Sequence, residues 1–228
     1  MVKYNSMRDV ELSTGTTYHV FNHGVGNKPI FKNTEDYSRF ADNMQLFNDA
    51  HYKRGRSDVP SRWRKIGRAD GVVRQPFVRV ISYVLMPDHF HMMLEQLRDN
   101  GISDYLHRLQ MGYAKYANLK YKKRGHVFES TFKTVAEDFD EQLEHLPRYI
   151  HLNALDLSGL PWRSGQVTDW NTAEKFLNNY RWSSHHVYLG ETQEVPIVDE
   201  GYIKSLFPDP ELYLAYLRNW SERNRYHH

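Results

Sequence analysis

A short alternating segment, residues 89–94, constrains this sequence more than any other stretch, because its pattern fits one kind of structure. An apolar, β-branched run ends at the turn-forming residues 86–88, and histidine and apolar side chains then alternate. Successive side chains on a strand point to opposite faces of the sheet. The segment is therefore predicted to be a strand that follows a tight turn, with His89 and His91 on one face and the intervening apolar residues in the core.

The two histidines of this strand are candidate metal ligands. A strand rises about 3.3 Å per residue, so His89 and His91 start about 7 Å apart and can converge on one divalent cation. Two half-exposed strand histidines with ordinary hydrogen bonds would give the same pattern. A metal site therefore requires a third ligand and a chemical partner from elsewhere in the chain.

The composition excludes several classes of site. The 228 residues include no cysteine, which rules out disulfides, thiolate zinc sites and cysteine nucleophiles. Hydrophobic residues make up 40% and charged residues 25%, which is typical of a globular chain able to form one large domain or a domain with an appendage. The sequence begins without an apolar signal core, and no run reaches the roughly 18 apolar residues of a membrane span, so we expect a cytoplasmic protein.

Basic residues are concentrated in two clusters, although the net charge is only +2. The first cluster lies in residues 53–68, and the second lies in residues 115–124, which contain no acidic residue. Such clusters fit a polyanionic partner, while solvated loop and helix faces would account for either cluster taken alone. The candidate contacts to a polyanion are Arg62, Arg64, Lys65, Lys115, Lys120, Lys122, Lys123 and Arg124.

Hydrophobic periodicity over residues 14–157 predicts an α+β domain. Besides the histidine strand, strands are predicted over residues 16–23, 77–85 and 126–135. Helices are predicted after Asn33 as N-cap, over residues 103–123, and from 137 to 153 with an interruption at Pro147. This order fits the ferredoxin-like arrangement, in which helices pack on a mostly antiparallel sheet.

Residues 158–228 are predicted to form a C-terminal extension of helical and irregular segments that packs on this domain. Its tryptophans lie among Gly, Ser and Asn residues, a composition typical of short elements. The last helix is the best defined, because Asp209 is a good N-cap and Pro210 suits the first helical position.

The second half of a site can come from the helix around residue 150. Tyr149 and Asn153 are four residues apart and share one helix face, although a buried ring and an exposed amide would also fit this spacing. A cation held by His89, His91 and the Asn153 oxygen would keep positions open for phosphate oxygens, and Tyr149 would be the nucleophile. Mixed nitrogen and oxygen ligation suits Mg²⁺ or Mn²⁺, and zinc would also bind the imidazoles.

Four motifs, in this order, resemble the single-tyrosine HUH transposases and, among these, the REP-associated tyrosine transposases of bacteria. They are Tyr-Val-Leu-Met-Pro-Asp-His-Phe-His at 83–91, Arg-Gly-His-Val-Phe-Glu-Ser-Thr-Phe-Lys at 124–133, Arg-Tyr-Ile-His-Leu-Asn at 148–153 and Arg-Trp-Ser-Ser at 181–184. The resemblance implies the HUH endonuclease fold, a divalent metal on His89 and His91, and Asn153 as the third ligand. It also implies that Tyr149 forms a 5′-phosphotyrosine link to single-stranded DNA.

The same resemblance implies the partner. Its members act on imperfect hairpins of repeated extragenic palindromes, as monomers or homodimers, and the C-terminal extension would contribute to DNA binding. The chain departs from the family pattern at three positions: Asp88 replaces the usual Asn, Ala154 the common Pro, and Thr131 an Arg. Asp88 places a carboxylate beside the histidines, where it could ligate a metal or repel phosphate.

These observations leave three functional hypotheses. The first is a metal-dependent single-stranded DNA endonuclease and strand transferase, a transposase acting at REP-like hairpins. The alternative is a catalytically silent regulatory protein that binds DNA hairpins. A metal-dependent enzyme acting on small molecules is the third, and it leaves the basic clusters and Tyr149 unexplained.

Overall fold

A four-stranded antiparallel sheet forms the centre of the computed structural model, which describes residues 11–52, 74–136, 140–165 and 167–220. Its strands are β1 (Thr17–His23), β2 (Val78–Leu85), β3 (His89–Gln96) and β4 (Lys133–Ala136), in the order β2-β3-β1-β4. Each neighbouring pair is antiparallel. This order is that of a ferredoxin-like sheet, so the predicted α+β class and arrangement are confirmed.

Within the described ranges, three helices belong to this unit and four more follow it. The first three are α1 (Thr34–Phe47), α2 (Gly101–Lys120) and α3 (Asp140–Leu152). The later four are α4 (Trp170–Asn179), α5 (His185–Tyr188), α6 (Glu200–Leu206) and α7 (Pro210–Arg218). Short 3-10 turns are formed by Val25–Asn27, Asn153–Leu157 and Trp162–Ser164.

Two predicted helix starts are confirmed by their capping contacts. The Asn33 side chain accepts a hydrogen bond from the Asp36 amide and begins α1. Asp209 accepts from the Glu211 amide and begins α7, with Pro210 at the first helical position. In both cases a side-chain oxygen satisfies an amide that has no partner within the helix.

The two faces of the sheet have different roles. Phe90, Met92 and Leu94 of β3 are fully buried, and Phe40 of α1 packs on Phe90 with ring centroids 5.5 Å apart. This face is the predicted core. On the opposite face, His91 lies beside the ring of Tyr149 from α3, with centroids 5.8 Å apart. The alternation of β3 therefore directs its histidines towards the helix that carries the candidate nucleophile.

Two predicted elements differ from the structure. The strand expected over 126–135 is reduced to β4, and the segment before it is joined to the end of β1 by an isolated antiparallel bridge between Gly24 and Phe128 and by side-chain hydrogen bonds. The Asn22 amide donates to the Ser130 carbonyl at 2.8 Å, and Gln110 donates to the Thr131 carbonyl. The interruption expected at Pro147 is absent, since α3 runs through this residue.

The C-terminal elements pack against β2. The Leu85 amide donates to the Trp182 carbonyl at 2.8 Å, and the Tyr188 hydroxyl donates to the Ile81 carbonyl at 3.1 Å.

The division into residues 14–157 and 158–228 stays a prediction. Within the described ranges, no helix combines the length and apolar character needed to cross a membrane. Arg62, Arg64, Lys65 and the rest of the first basic cluster, residues 53–68, lie outside those ranges.

Candidate active site

Adjacent strands β1 and β3 place five ring side chains on one sheet face. Phe21 is the cross-strand partner of His91, and His23 is the partner of His89. The rings of His23 and His89 stack with centroids 5.0 Å apart, and those of Phe21 and His91 are 5.5 Å apart. Because residues two apart share a face, His19 of β1 joins this group. Nε2 of His19 lies 2.9 Å from Nδ1 of His91.

A cavity of about 350 Å³ opens on this face. It brings together three of the four predicted site residues, namely the two histidines of β3 and the tyrosine of α3. The residues that line it are Phe21, His23, His89, His91, Lys133, Tyr149 and Arg163. Aromatic walls with a few imidazole and cationic groups suit a ligand that carries both rings and phosphates.

Tyr149 is packed tightly at the base of this cavity. The residue is 2% exposed, and its ring meets His19 and His91 edge-on with centroids 5.8 Å apart in each case. Trp162 and Trp220 cover the other side of the ring at 5.8 and 6.5 Å. The phenol is therefore fixed between the imidazoles of the sheet and indoles of the C-terminal region.

The residue before the tyrosine anchors α3 to the end of α7. Arg148 is buried, and its guanidinium donates to the carbonyls of Tyr216 at 3.0 Å and Asn219 at 3.1 Å. These carbonyls lie at the C-terminal end of α7, where a helix dipole favours a cation. The C-terminal region thus holds the helix that carries Tyr149 in place.

Asn153, the fourth predicted site residue, is buried one turn beyond Tyr149 and takes part in other contacts. Its amide nitrogen donates to the Tyr149 carbonyl at 2.6 Å, and its oxygen accepts from Arg163 at 2.9 Å. Among the described residues that line the cavity, Arg163 is present and Asn153 is not. The Asn153 oxygen has a second lone pair, so it can accept from Arg163 and also ligate a metal.

Among the described residues, His23, Asp88 and His89 form a cluster that could hold a metal ion. One ligand atom from each lies within 4.8 Å of the other two. Nδ1 of His89 is 2.8 Å from a carboxylate oxygen of Asp88, a contact that orients the imidazole. Partial burial, with the nearby His89 and Lys133, lowers the pKa of His23, so its imidazole is held neutral and able to ligate.

Two cationic side chains also face the cavity. Lys133 begins β4, where it is the cross-strand partner of Phe21. Arg163 lies over the ring of Trp162 and pairs with Asp156 at 2.5 Å. Cations at these positions can contact phosphate oxygens close to Tyr149.

The second basic cluster lies at the end of α2, and its members differ in whether their charge is already paired within the protein. Lys120 donates to Asp36 at 2.7 Å and Glu35 at 2.8 Å, so this ammonium is ion-paired. The other cluster residues are exposed and in a position to meet a polyanion; these are Lys115, Lys122, Lys123 and Arg124. Nucleic-acid contact by these residues stays a prediction.

Sequence reasoning did not single out His19, His23, Lys133 or Arg163. The first two could have been found, because His19, Phe21 and His23 alternate on β1 as His89 and His91 do on β3. Because β1 pairs with β3, the two sets of rings lie side by side on one face of the sheet. The position of Arg163 depends on an irregular segment after α3, for which the sequence carries no periodic signal.

The fold is the one expected from the motifs, and the cavity brings the paired histidines of β3 close to the tyrosine of α3. Residues 58–153 match the family model described as "Transposase IS200 like". The resemblance to the single-tyrosine transposases is thereby confirmed over a segment that contains His89, His91 and Tyr149. The chain is also similar to a solved structure described as "Structure of the REP associates tyrosine transposase bound to a REP hairpin". Their identity is 13% and the TM-score 0.47, over 87% of this chain and 94% of that chain. No curated protein sequence matches the chain.

Proposed function

We propose that this protein is a metal-dependent endonuclease and strand transferase of single-stranded DNA, with Tyr149 as the nucleophile. The observation that supports this most directly is the shared cavity of Tyr149, His89 and His91. The three side chains come from elements about 60 residues apart in sequence and converge on one small space. The match of residues 58–153 to the transposase family model points to the same chemistry.

The proposed reaction exchanges one phosphodiester for another. The Tyr149 oxygen attacks the phosphorus, the bond from phosphorus to the 3′ oxygen breaks, and a 5′-phosphotyrosine link and a 3′-hydroxyl result. The phenol loses its proton and the departing 3′ oxygen gains one, so the step is balanced. Strand transfer is the reverse attack by a second 3′-hydroxyl on the same phosphorus, which regenerates the tyrosine.

The side chains around Tyr149 have separate tasks in this proposal. Lys133 and Arg163 contact the non-bridging phosphate oxygens and orient the scissile bond. His89 and His91 would hold Mg²⁺ or Mn²⁺, with Asn153 as the third ligand expected from the resemblance. Such a cation supplies polarisation of the phosphorus and neutralises charge on the leaving oxygen. The packed rings around Tyr149 exclude water, which favours transfer over hydrolysis.

The proposed substrate is a single strand that folds into REP-like hairpins. The exposed cations at the end of α2 would follow the phosphates of the hairpin stem, while the cavity receives an unpaired nucleotide. A phosphate backbone of this kind explains why basic residues cluster on a chain of low net charge.

A covalent trapping experiment tests the proposal. The protein is mixed with Mn²⁺ and labelled single-stranded oligonucleotides carrying imperfect hairpins with randomised flanking tetranucleotides, and the products are separated on a denaturing gel. We expect a DNA-linked protein band that is lost in Tyr149→Phe and kept in Tyr202→Phe, a matched change on α6. Tight hairpin binding without a linked band in Mn²⁺ or Mg²⁺ would favour the silent regulatory protein instead.

A further inference from the structure

The Arg-Trp-Ser-Ser motif, residues 181–184, lies along the outer edge of β2, away from the cavity. Its Trp182 carbonyl accepts from the Leu85 amide at 2.8 Å, and its Ser184 amide donates to the Tyr83 carbonyl at 3.0 Å. The Ser184 hydroxyl accepts from the Tyr83 amide at 2.9 Å. The motif thus forms an additional edge segment beside β2, and these contacts fix the backbone that carries Trp182.

The Trp182 indole is the outer member of a series of three packed rings. Phe31 is the innermost, at 2% exposure, and Tyr37 of α1 packs on it with ring centroids 4.5 Å apart. Trp182 in turn packs on Tyr37, with centroids 4.8 Å apart and ring planes at 17°. Among the described residues, Tyr37 supplies the ring contact of Trp182, and the indole is partly exposed. The series therefore runs from the core to an accessible indole.

The indole lies at the same end of the sheet as the mouth of the cavity. Leu85, which bonds to Trp182, is the cross-strand partner of Phe90, the residue after His89. Neighbouring strands are about 4.8 Å apart, so the backbones of Trp182 and His89 are about 10 Å apart, or two strand spacings. Trp182 shares the sheet face of Phe90, and His89 the opposite face. A strand that enters the cavity can therefore reach the indole across the turn at 86–88.

The ring series also adjoins the cationic end of α2. Lys120 of α2 pairs with Asp36 at 2.7 Å, and Asp36 precedes Tyr37 in α1. The Lys32 ammonium lies 4.1 Å from the centroid of the Tyr121 ring, just beyond α2. The indole is thus bordered on one side by the exposed cations proposed to follow the hairpin stem, and on the other by the turn that leads to the cavity.

We propose that Trp182 is a stacking platform for an unpaired base of the strand that flanks the hairpin. The inference rests on the proposed function for the presence of single-stranded DNA, and on the ring series for the site. A base on the outer side of the indole becomes the fourth ring of the series. Because Tyr37 and Phe31 already hold the indole in place, little side-chain freedom is lost on binding. The turn beside the platform carries Asp88, so stacking rather than phosphate contact holds the DNA at this point.

Hairpin probes with and without flanking bases test this assignment. Both probes carry the same hairpin with four unpaired nucleotides on each side, and in the second probe abasic spacers replace the flanking bases, so the phosphates remain. Fluorescence anisotropy in Mn²⁺ measures their affinity for the Tyr149→Phe protein, which forms no covalent product. We expect the probe with bases to bind about 5 to 100 times more tightly, the usual effect of base–aromatic stacking. Addition of Trp182→Leu should remove most of this preference.

Further variants separate stacking from folding. Trp182→Phe keeps an aromatic face and should retain most of the preference, whereas Trp182→Leu covers Tyr37 without offering a ring. Trp170→Leu, at a partly exposed tryptophan of α4, is the matched control and should leave both affinities unchanged. If Trp182→Leu does not fold by circular dichroism, Trp182→Met takes its place with the same expected loss. A preference unchanged by loss of the indole, or equal weakening with both probes, would overturn the inference.

The trapping gel is scored separately from these affinities. A protein whose preference for flanking bases depends on Trp182 but which forms no DNA-linked band keeps this inference and removes the proposed nuclease. A protein that forms the band, and whose preference is the same with and without the indole, does the reverse. Absence of binding to either probe would remove the platform as well.

Discussion

His19 and His91 share a hydrogen bond across β1 and β3, with Nε2 of the first 2.9 Å from Nδ1 of the second. Both rings are buried and stack at a centroid distance of 5.1 Å. One proton lies between the two nitrogens. When His91 donates it, Nε2 of His91 carries the lone pair, and its position and tautomer are set by His19.

Replacement of His19 by Phe is therefore expected to slow formation of the DNA-linked product by about 10 to 100 times, the usual effect of removing the partner of a functional histidine. An aromatic ring is kept, so the protein should still fold, with stability lowered by about 1–3 kcal/mol because a buried nitrogen of His91 loses its partner. Hairpin affinity should change little. His19→Gln, which retains a polar side chain, should lose less. A His19→Phe protein that folds and forms the product at the wild-type rate would contradict this role.

Arg163 connects the cavity to the helix that carries Tyr149. Its guanidinium donates to the Asn153 oxygen at 2.9 Å and to Asp156 at 2.5 Å, in a forked geometry that an ammonium cannot reproduce. We expect Arg163→Lys to slow product formation by about tenfold or more, because both the proposed phosphate contact and the hydrogen bond to Asn153 are weakened. Arg181→Lys, at an exposed arginine, is the matched control for single-turnover trapping rates. Equal rates in the two variants would exclude the role of Arg163.

The sequence predicted the features that depend on neighbouring residues. The features that it missed depend on contacts between residues far apart in the chain. The strand alternation around His91 and the cap at Asn33 are local signals, and both were read correctly. Convergence of Tyr149 with His91 was inferred from chemistry and the motifs rather than from periodicity. The contacts of Asn153 with Arg163 depend on how an irregular segment folds back, which no local pattern encodes.

The ion pair of Lys120 is a second contact that local sequence does not encode. Its position in a basic cluster suggested DNA contact, whereas in the structure its ammonium is paired with Asp36. The carboxyl of Asp36 is fully buried, and the Lys120 side chain is 21% exposed. Burial alone would raise the pKa of Asp36, but hydrogen bonds from Lys120, Tyr121 and the Lys32 amide bring it below its usual value. The pair is thus part of the packing between α1 and α2.

Lys120→Met is expected to lower the free energy of unfolding by an amount on the order of 3 kcal/mol, because it leaves a buried carboxylate without its cation. Lys122→Met, at an exposed position two residues on, should change stability by less than about 0.5 kcal/mol. Hairpin affinity should be affected in the other variant: Lys122→Met should bind more weakly, with a smaller salt dependence, and Lys120→Met should bind as wild type does. Urea unfolding and fluorescence anisotropy at several salt concentrations measure the two effects. If Lys120→Met remained as stable as wild type but bound the hairpin more weakly, Lys120 would be a DNA contact after all.

A buried chain of hydrogen bonds links α3 to the C-terminal helices. The His185 ring contacts Asn178 at 2.9 Å and the Tyr213 hydroxyl at 2.7 Å, and that hydroxyl contacts the His151 ring at 2.9 Å. The second nitrogen of His151 is 2.7 Å from the Ser184 hydroxyl. Every ring nitrogen in this chain has a partner when both imidazoles are neutral, so protonation of either ring disturbs the chain.

Acidification is accordingly expected to destabilise the fold through these two histidines. Burial, and secondarily His186, lowers the pKa of His185 to about 3, and burial with His185 and His186 lowers the pKa of His151 well below its usual value. The unfolded chain binds these protons near pH 6.5 and the folded chain does not, so the stabilisation is complete above about pH 6.5 and is lost as pH falls towards 3. Each histidine contributes up to about 1.4 kcal/mol per pH unit in that window. Urea unfolding between pH 7.5 and 5 should show this slope, reduced in His185→Phe and unchanged in His107→Ala. An identical slope in wild type and His185→Phe would show that the buried chain does not control acid stability.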